Sequence, residues 1–514
     1  MTVKDRLLTA VVPAIMLLLL GGCSSLPKHV LKEASYVTVL PEETPMGRSV
    51  QEQSRRHAGQ SGFTLLRSGR SAFTSRMLAI RMAEKSLDLQ YYIWEADTTG
   101  MILARELIRA ANRGVRVRLL LDDNNMQGYD RVLAAMNSHP NIQIRIFNPF
   151  ANRESHLFDA MTDFSRINHR MHNKVLAVDN AIAIVGGRNI GDHYFAVNPQ
   201  ANFRDLDVVA AGPIVEQISD TFDEFWNGPY ALPAEKLVAI DSQHDGAHLE
   251  EKLTKALEKK PYPYSLTDDL DKLQALLADY EEAFVWAKAE VVYDRPESIE
   301  GESAEYGIAS LMTERLLQAR QRVYIESAYF VASGDTVANV AKLIDDGVDI
   351  RVLTNSLASN DVIAAHAGYA EFREALIREG VEVHELRPDS EEIRKAWSVA
   401  LGASKAGLHT KALVIDDDKV FVGSYNLDPR SANINTEIGL LIYSEALNAQ
   451  LAEYMAQGRS LKNSYQVYLN KEGKLRWRTL EGGVLIEYKN EPKTHFWQRF
   501  FADFIELLPV QSQL

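Results

Sequence analysis

Cysteine is nearly absent from this chain of 514 residues: Cys23 stands alone, so no intrachain disulfide can staple the fold. Positive charge is also in short supply. Lys and Arg number 56 against 70 Asp and Glu, and the net charge of -14 argues against a general nucleic-acid binder, while leaving room for a local cationic pocket. Long apolar runs are missing too. The longest, Val11 to Leu20, is interrupted by Pro13 and too short to cross a bilayer comfortably. No motif histidine recurs at ligand spacing with Cys, Glu or a further His, so no metal site is expected. What remains is an ordinary globular composition, 46% apolar and 25% charged, on a chain long enough for more than one domain.

The short apolar run follows Lys4 and Arg6 and ends in Leu20-Gly21-Gly22-Cys23-Ser24-Ser25. A basic start, a short apolar core and small residues before a cysteine predict a lipoprotein-type signal over 1–23, with Cys23 as the lipidation site. The expected location is the bacterial cell envelope, as a periplasm-facing lipoprotein anchored in the inner or outer membrane. Multiple acyl chains on Cys23 would hold the protein at the membrane surface, since one chain alone binds marginally. Residues 24–62 read as a polar tether.

From Phe63 onward strands alternate with helices: a helix over Met77–Lys85, a strand over Leu87–Ile93, a helix over Met101–Arg113, and strands over Val115–Leu121 and Ile142–Phe147. The same order returns later. Val323-Tyr324-Ile325 answers Leu87-Asp88-Leu89, Val348 to Leu353 answers Val115 to Leu120, and Val381 to Leu386 answers Ile142 to Phe147. The expectation is an α/β protein of two pseudosymmetric domains, 63–231 and 303–460, each a mixed, mostly parallel sheet flanked by helices. A helical linker, 232–302, would join them. The extension 461–514 would carry an amphipathic segment built on Phe496, Trp497, Phe500, Phe501, Phe504, Ile505 and Leu508, suited either to a membrane interface or to the protein's own core.

Each copy holds the same chemistry at the same place. His172-Asn173-Lys174 runs through Val175–Val178 to Asp179, then to Gly186-Gly187-Arg188-Asn189; His409-Thr410-Lys411 runs through Ala412–Ile415 to Asp416, then to Gly423-Ser424-Tyr425-Asn426. Histidine and lysine two apart on a strand share a face, so both can reach one anion. Asp179 and Asp416 lie an odd number of residues from the lysines and read as orienting or turn residues. The small residues let backbone approach closely, and Asn189 and Asn426 can donate to a phosphoryl oxygen. Two His-Lys pairs at one buried seam would be costly without an anion, which a phosphate supplies.

These two motifs resemble those of the phospholipase D superfamily. Leu89-Gln90-Tyr91-Tyr92-Ile93-Trp94, Leu119 to Asn125, Gly186 to Asp192 and Leu427 to Ser431 are similar to bacterial cardiolipin synthases, and Glu491-Pro492 and Leu508-Pro509-Val510 to their C-type branch. The resemblance implies an active site at the interface of the two domains and a covalent phosphohistidine. His172 would be the nucleophile and His409 the acid/base, with the reverse assignment open. Lys174 and Lys411 would neutralise phosphoryl oxygens. It also implies a carboxylate behind each imidazole: Glu437 at the family's position, with Asp207 as its counterpart and Asp205 competing for that role. The implied activity is phosphatidyl transfer, forming cardiolipin from phosphatidylglycerol and a second phospholipid, either phosphatidylglycerol or phosphatidylethanolamine. Phospholipase D-type hydrolysis of envelope phospholipids is the alternative. Phospholipids are the expected partners, no cofactor is called for, and no helper protein can be named.

Overall fold

Side-chain caps open several of the helices that alternate with the strands. Ser68 accepts from Ser71 N at 3.0 Å and Asp97 from Gly100 N at 3.1 Å, satisfying amides that open two helices. The computed structural model describes residues 30–153, 159, 161–237, 248–264, 283–300, 307–360, 362–390 and 405–506. Cys23, the signal over 1–23 and Leu508 to Val510 lie outside these, as do the side chains of Phe504 and Ile505.

The first half contributes β1 (Ser61–Leu66), β2 (Ser86–Tyr91), β3 (Arg116–Asp122), β4 (Ile142–Phe147), β5 (Val175–Val178), β6 (Ile182–Gly186), β7 (Ala201–Arg204), β8 (Asp207–Ala211) and β9 (Ala231–Pro233). A long strand follows, β10 (Val285–Tyr293). The second half gives β11 (Arg322–Ser327), β12 (Asp349–Asn355), β13 (Glu382–Leu386), β14 (Lys405–Leu408), β15 (Lys411–Ile415), β16 (Lys419–Gly423) and β17 (Ile438–Tyr443). The extension adds β18 (Ser464–Leu469), β19 (Leu475–Glu481) and β20 (Val484–Tyr488), then a helix, Phe496–Glu506.

Helices Thr98–Asn112 and Asp130–Asn137 return the chain so that β2, β3 and β4 run parallel. Helices Gly334–Asp345 and Ile363–Glu379 do the same for β11, β12 and β13. Both halves therefore share the α/β architecture expected of them. The expectation of a mostly parallel sheet is corrected. Among the described residues the large sheet has four parallel ladders against thirteen antiparallel ones. The reason is local: β5–β6 and β15–β16 are joined by tight turns, and a tight turn can only reverse the chain.

Two further expectations change. The 232–302 segment is not a helical linker throughout, although it contains a helix at Leu249–Lys259. Its strand β10 pairs through Val285–Ala287 with β1 and through Lys288–Tyr293 with β17, fusing both halves into one 18-stranded sheet. The segment 24–62 is not a free tether over its described part. Its helix Pro45–Arg56 buries Met46 and Val50, and its carbonyls answer arginines of the sheet. Arg145 donates to Glu33 O at 2.6 Å, Arg118 to Ser35 O at 2.7 Å and Arg116 to Tyr36 O at 2.8 Å. A desolvated guanidinium needs acceptors, and this chain supplies them.

Between the halves lies an apolar core in which Val175, Val185 and Val208 meet Val414, Val422 and Leu440. The alternate residues of β5, Leu176 and Val178, face the first half's own helices, as Leu413 and Ile415 face those of the second. One strand thus serves two cores, with its histidine and lysine at the leading end.

Candidate active site

Asp179 and Asp416 both adopt φ near 50°, a left-handed turn conformation that short acidic side chains tolerate. The Asp179 carboxylate accepts from Glu84 N at 2.9 Å and from Lys85 N and Ser86 N at 2.8 Å. Asp416 accepts from Arg320 N and Gln321 N at 2.8 Å. Each motif aspartate therefore pins its hairpin to the turn before β2 or β11, far end first, and leaves the other end of the strand to the histidine.

At that other end each His-x-Lys segment is strapped to the opposite half. His172 N donates to Thr436 O at 2.9 Å and Thr436 N to Arg170 O at 2.9 Å. His409 N and Thr410 N both donate to Arg204 O, at 2.8 and 3.1 Å. The short parallel pair β7–β14 continues the second strap. The side chains cross in the same way. His172 Nδ1 sits 2.8 Å from Glu437 Oε2, and His409 Nδ1 sits 2.7 Å from Asp205 Oδ2. A proton held on each Nδ1 leaves Nε2 of both rings for chemistry.

The lysines turn inward beside them. Lys174 donates to the carbonyl of His172, and Lys411 to that of His409 at 2.5 Å. Aromatic rings wall the imidazoles: Tyr92 meets His172 edge-on at 5.0 Å, and Tyr194 meets His409 edge-on at 5.1 Å. Asn189 accepts from Ile93 N at 3.2 Å and donates to Tyr194 Oη at 3.0 Å. Asn426 is buried with its Oδ1 unpaired. All four motif basic residues are buried, and each pair feels the other's charge.

That charge crowding shapes the titration. Burial, reinforced by Lys174 and Lys411, drives His172 well below its ordinary value. Burial and the Lys411 ammonium push His409 down to about 4. Burial also holds Lys174 well below the usual amine range. The two acids diverge. Burial pushes Glu437 up to about 8, whereas Asp205, despite the same burial, is held below the carboxylate range by His409 and Lys411. Asp205 is thus the ionised carboxylate that answers the cationic side chains of this cluster.

The sequence matches the family described as cardiolipin synthase, PLD-like domain, over residues 77–226 and again over 312–458. This chain belongs to the phospholipase D superfamily. Within it the chain is cardiolipin-synthase-like. It is similar to cardiolipin synthase C of Escherichia coli (strain K12), 39% identical over 472 residues, covering 88% of this chain and 96% of that one. An uncharacterized protein of Helicobacter pylori is 32% identical over 506 residues, 96% of this chain and 97% of its own. The fold is similar to that of phosphatidylserine synthase from Haemophilus influenzae Rd KW20. That match covers 91% of this chain and all of that one, with a TM-score of 0.57 at 15% identity.

In this phospholipase D-superfamily enzyme the expectation that Asp207 backs a histidine is corrected. Asp207 lies 2.8 Å from Arg76 Nη1 and 3.2 Å from Arg188 Nη1, in a buried triad away from His409. The ladders give the reason. Gly186 pairs with Asp207, and Gly423 with Gly439, so the counterpart of Glu437 is the residue two before Asp207, which is Asp205. Gly187 serves this arrangement, because a Cβ there would lie 2.2 Å from Asp205 Oδ1. Its counterpart Ser424 instead donates its hydroxyl to Glu437. Tyr92, Tyr194 and Ser424 were not singled out from the sequence. The last lay in plain view in the second motif.

Proposed function

We propose that this enzyme transfers a phosphatidyl group through a covalent phosphohistidine, forming cardiolipin from phosphatidylglycerol and a second phospholipid, phosphatidylglycerol or phosphatidylethanolamine. The observation that carries the reading is the crossed pair of imidazoles, each backed by a carboxylate of the other half, within one buried cationic cluster. A phosphodiester bound there would add negative charge beside the lysines and favour their ammonium forms.

The acids divide the labour. Asp205, kept ionised, raises the proton affinity of His409 against burial and Lys411, which push that ring down to about 4. The negative charge of a bound phosphodiester adds to Asp205 in favouring the protonated form that a general acid requires. Glu437, raised to about 8, exerts less pull on His172, which stays neutral with its Nε2 lone pair available. His172 Nε2 attacks phosphorus, the P–O bond to the donor's alcohol breaks, and His409 delivers its proton to the departing oxygen. Neutral His409 then takes the proton of an incoming phosphatidylglycerol hydroxyl as that oxygen attacks and the P–N bond breaks. Lys174 and Lys411, with Asn189 and Asn426, stabilise the phosphoryl oxygens. Water in place of the lipid hydroxyl gives phosphatidic acid, the hydrolytic alternative.

The deciding experiment is purified full-length protein in liposomes of phosphatidylglycerol and phosphatidylethanolamine, with products resolved by mass spectrometry. Cardiolipin carries the reading, and phosphatidic acid alone overturns it in favour of hydrolysis. The reading places the enzyme at the envelope through acylated Cys23. Incorporation of labelled palmitate that disappears in Cys23→Ser tests this, and equal labelling of the two proteins overturns it.

A further inference from the structure

Four large aromatic side chains stand out in water on one helix. Phe496 and Trp497 are 65% exposed, Phe501 52% and Phe500 47%. They pack on one another, with Trp497 edge-on to both Phe496 and Phe500. An apolar patch of that kind on an otherwise polar surface marks an interaction face.

Beside the helix is a second feature. A cleft of about 550 Å³ beside the packed helices Phe496–Glu506 and Ile363–Glu379 is lined by Lys474, Arg476, Lys489 and Arg499, with Phe496 and Phe500 on its edge. Its carboxylate, Glu491, is engaged by Arg373 at 2.7 Å and His366 at 3.3 Å. Arg476 also lies 3.6 Å from Glu487, and the lining still carries more cations than carboxylates in a chain of net charge -14. Aromatics flanked by cations match the two layers of an anionic bilayer surface, acyl boundary and phosphate plane.

The patch is also tied to the catalytic cluster. Gln498 donates to Leu357 O at 3.2 Å, and Leu357 follows closely on the end of β12. There the Asn355 amide donates to Leu408 O and accepts from Leu408 N, both at 2.8 Å. Leu408 precedes His409. The aromatic helix and the second histidine therefore lie at the same end of the parallel strands.

We infer that helix Phe496–Glu506 and the basic cleft beside it form a docking surface for an anionic phospholipid bilayer, seating the active-site end of the enzyme on its substrate. This inference deepens the lipid-transferase reading and rests on it for the link to turnover, but not for membrane contact itself.

Cysteine scarcity makes the test clean. In full-length protein carrying Cys23→Ser, an environment-sensitive fluorophore is placed at Trp497→Cys, at Phe500→Cys or, as a control, at the exposed Val132→Cys. Vesicles containing phosphatidylglycerol should blue-shift emission at 497 and 500 and shield both from an aqueous quencher, leaving 132 unchanged. Vesicles of phosphatidylcholine alone should do far less. Adding Lys474→Glu and Lys489→Glu should weaken the vesicle response at least about tenfold. Probes at 497 and 500 that stay quenchable on both vesicle types overturn the inference. So does shielding without vesicles accompanied by a doubled mass, which would assign the face to a second copy of the chain. With Phe496, Trp497, Phe500 and Phe501 all replaced by serine, turnover on vesicles should fall at least about tenfold while turnover of monomeric short-chain phosphatidylglycerol is kept. Equal loss on both substrates overturns the coupling to activity. If the parent makes no cardiolipin at all, the function reading fails while the fluorescence result still decides membrane contact.

Discussion

The two halves run the same strand order and carry the same hairpin, yet they support their histidines with different chemistry. The first half lends Asp205, a short carboxylate set against bare Gly187 and kept ionised beside His409. The second lends Glu437, a longer one, bonded by Ser424 and pushed up to about 8 by burial. Outside the hairpins they diverge further. Helix Thr98–Asn112 is almost wholly buried and is covered by helix Leu249–Lys259 through an Arg109–Glu250 pair at 2.8 Å. Its counterpart Gly334–Asp345 buries only Leu343 among its residues, above an apolar cavity of about 380 Å³. A duplicated fold has kept in common what meets at the seam and let the outer layers drift. On the proposed mechanism the two halves need not offer identical acids, since donor and acceptor steps would ask different things of the two rings.

The largest break in the comparison should come from the rings themselves. His172→Ala and His409→Ala should each lower kcat at least about 10⁴-fold. In a rapid quench with labelled phosphatidylglycerol, His409→Ala should still form some phosphoenzyme and His172→Ala none. Label retained in His172→Ala would reverse the two roles. Next come the neighbouring acids of the first half. Asp205→Asn should reduce kcat about 10²- to 10⁴-fold with little change in melting temperature. Asp207→Asn should instead lower stability by about 3–5 kcal/mol, because Arg76 and Arg188 lose a buried counter-charge. Denaturation and turnover measured on both variants separate the two positions, and a catalytic defect in Asp207→Asn alone would contradict the register.

Glu437 offers a pH test. Its carboxyl rises from an ordinary 4.5 to about 8 on folding. Between those values the folded state holds a proton that the unfolded state has released, so this group's contribution falls as pH rises and is fully unfavourable above about 8. Glu437→Gln should therefore gain melting temperature over the parent as pH climbs through that window, while losing turnover. A constant difference between the two proteins across the range would refute the assignment. The smallest effect belongs to the residues beneath the acids. Ser424→Ala removes one hydrogen bond to Glu437 and should cost about tenfold or less in kcat. Gly187→Ser, which copies the second half into the first, should cost more because its side chain collides with Asp205.

Much of this was legible in the linear chain. Aliphatic runs gave the strands, and Ile142–Phe147 was bounded as observed. The helix expected to open at Met77 begins instead at Gly69, because Ser68 caps it two turns earlier. Strand β10 was missed where Lys288 and Glu290 alternate with Ala287 and Ala289, a period-two signal hidden by the charged stretch before it. Asp205, not Asp207, stands at the position of Glu437, two residues before the glycine-paired position of the ladder. Aligning Leu206, Val208 and Ala210 with Ile438, Leu440 and Ile442 by their alternation would have found it.

By itself the sequence determined that there are two copies of one hairpin and which side chains, a histidine and a lysine in each, head its strand. These are local facts, set by spacing and side-chain type. Only the tertiary structure decided that each imidazole is held by the acid of the other half, and that residues 30–56 and the last helix lie against the body of the enzyme. Contacts between residues some two hundred positions apart depend on how the two halves pack, and no periodicity within one segment encodes its partner in another.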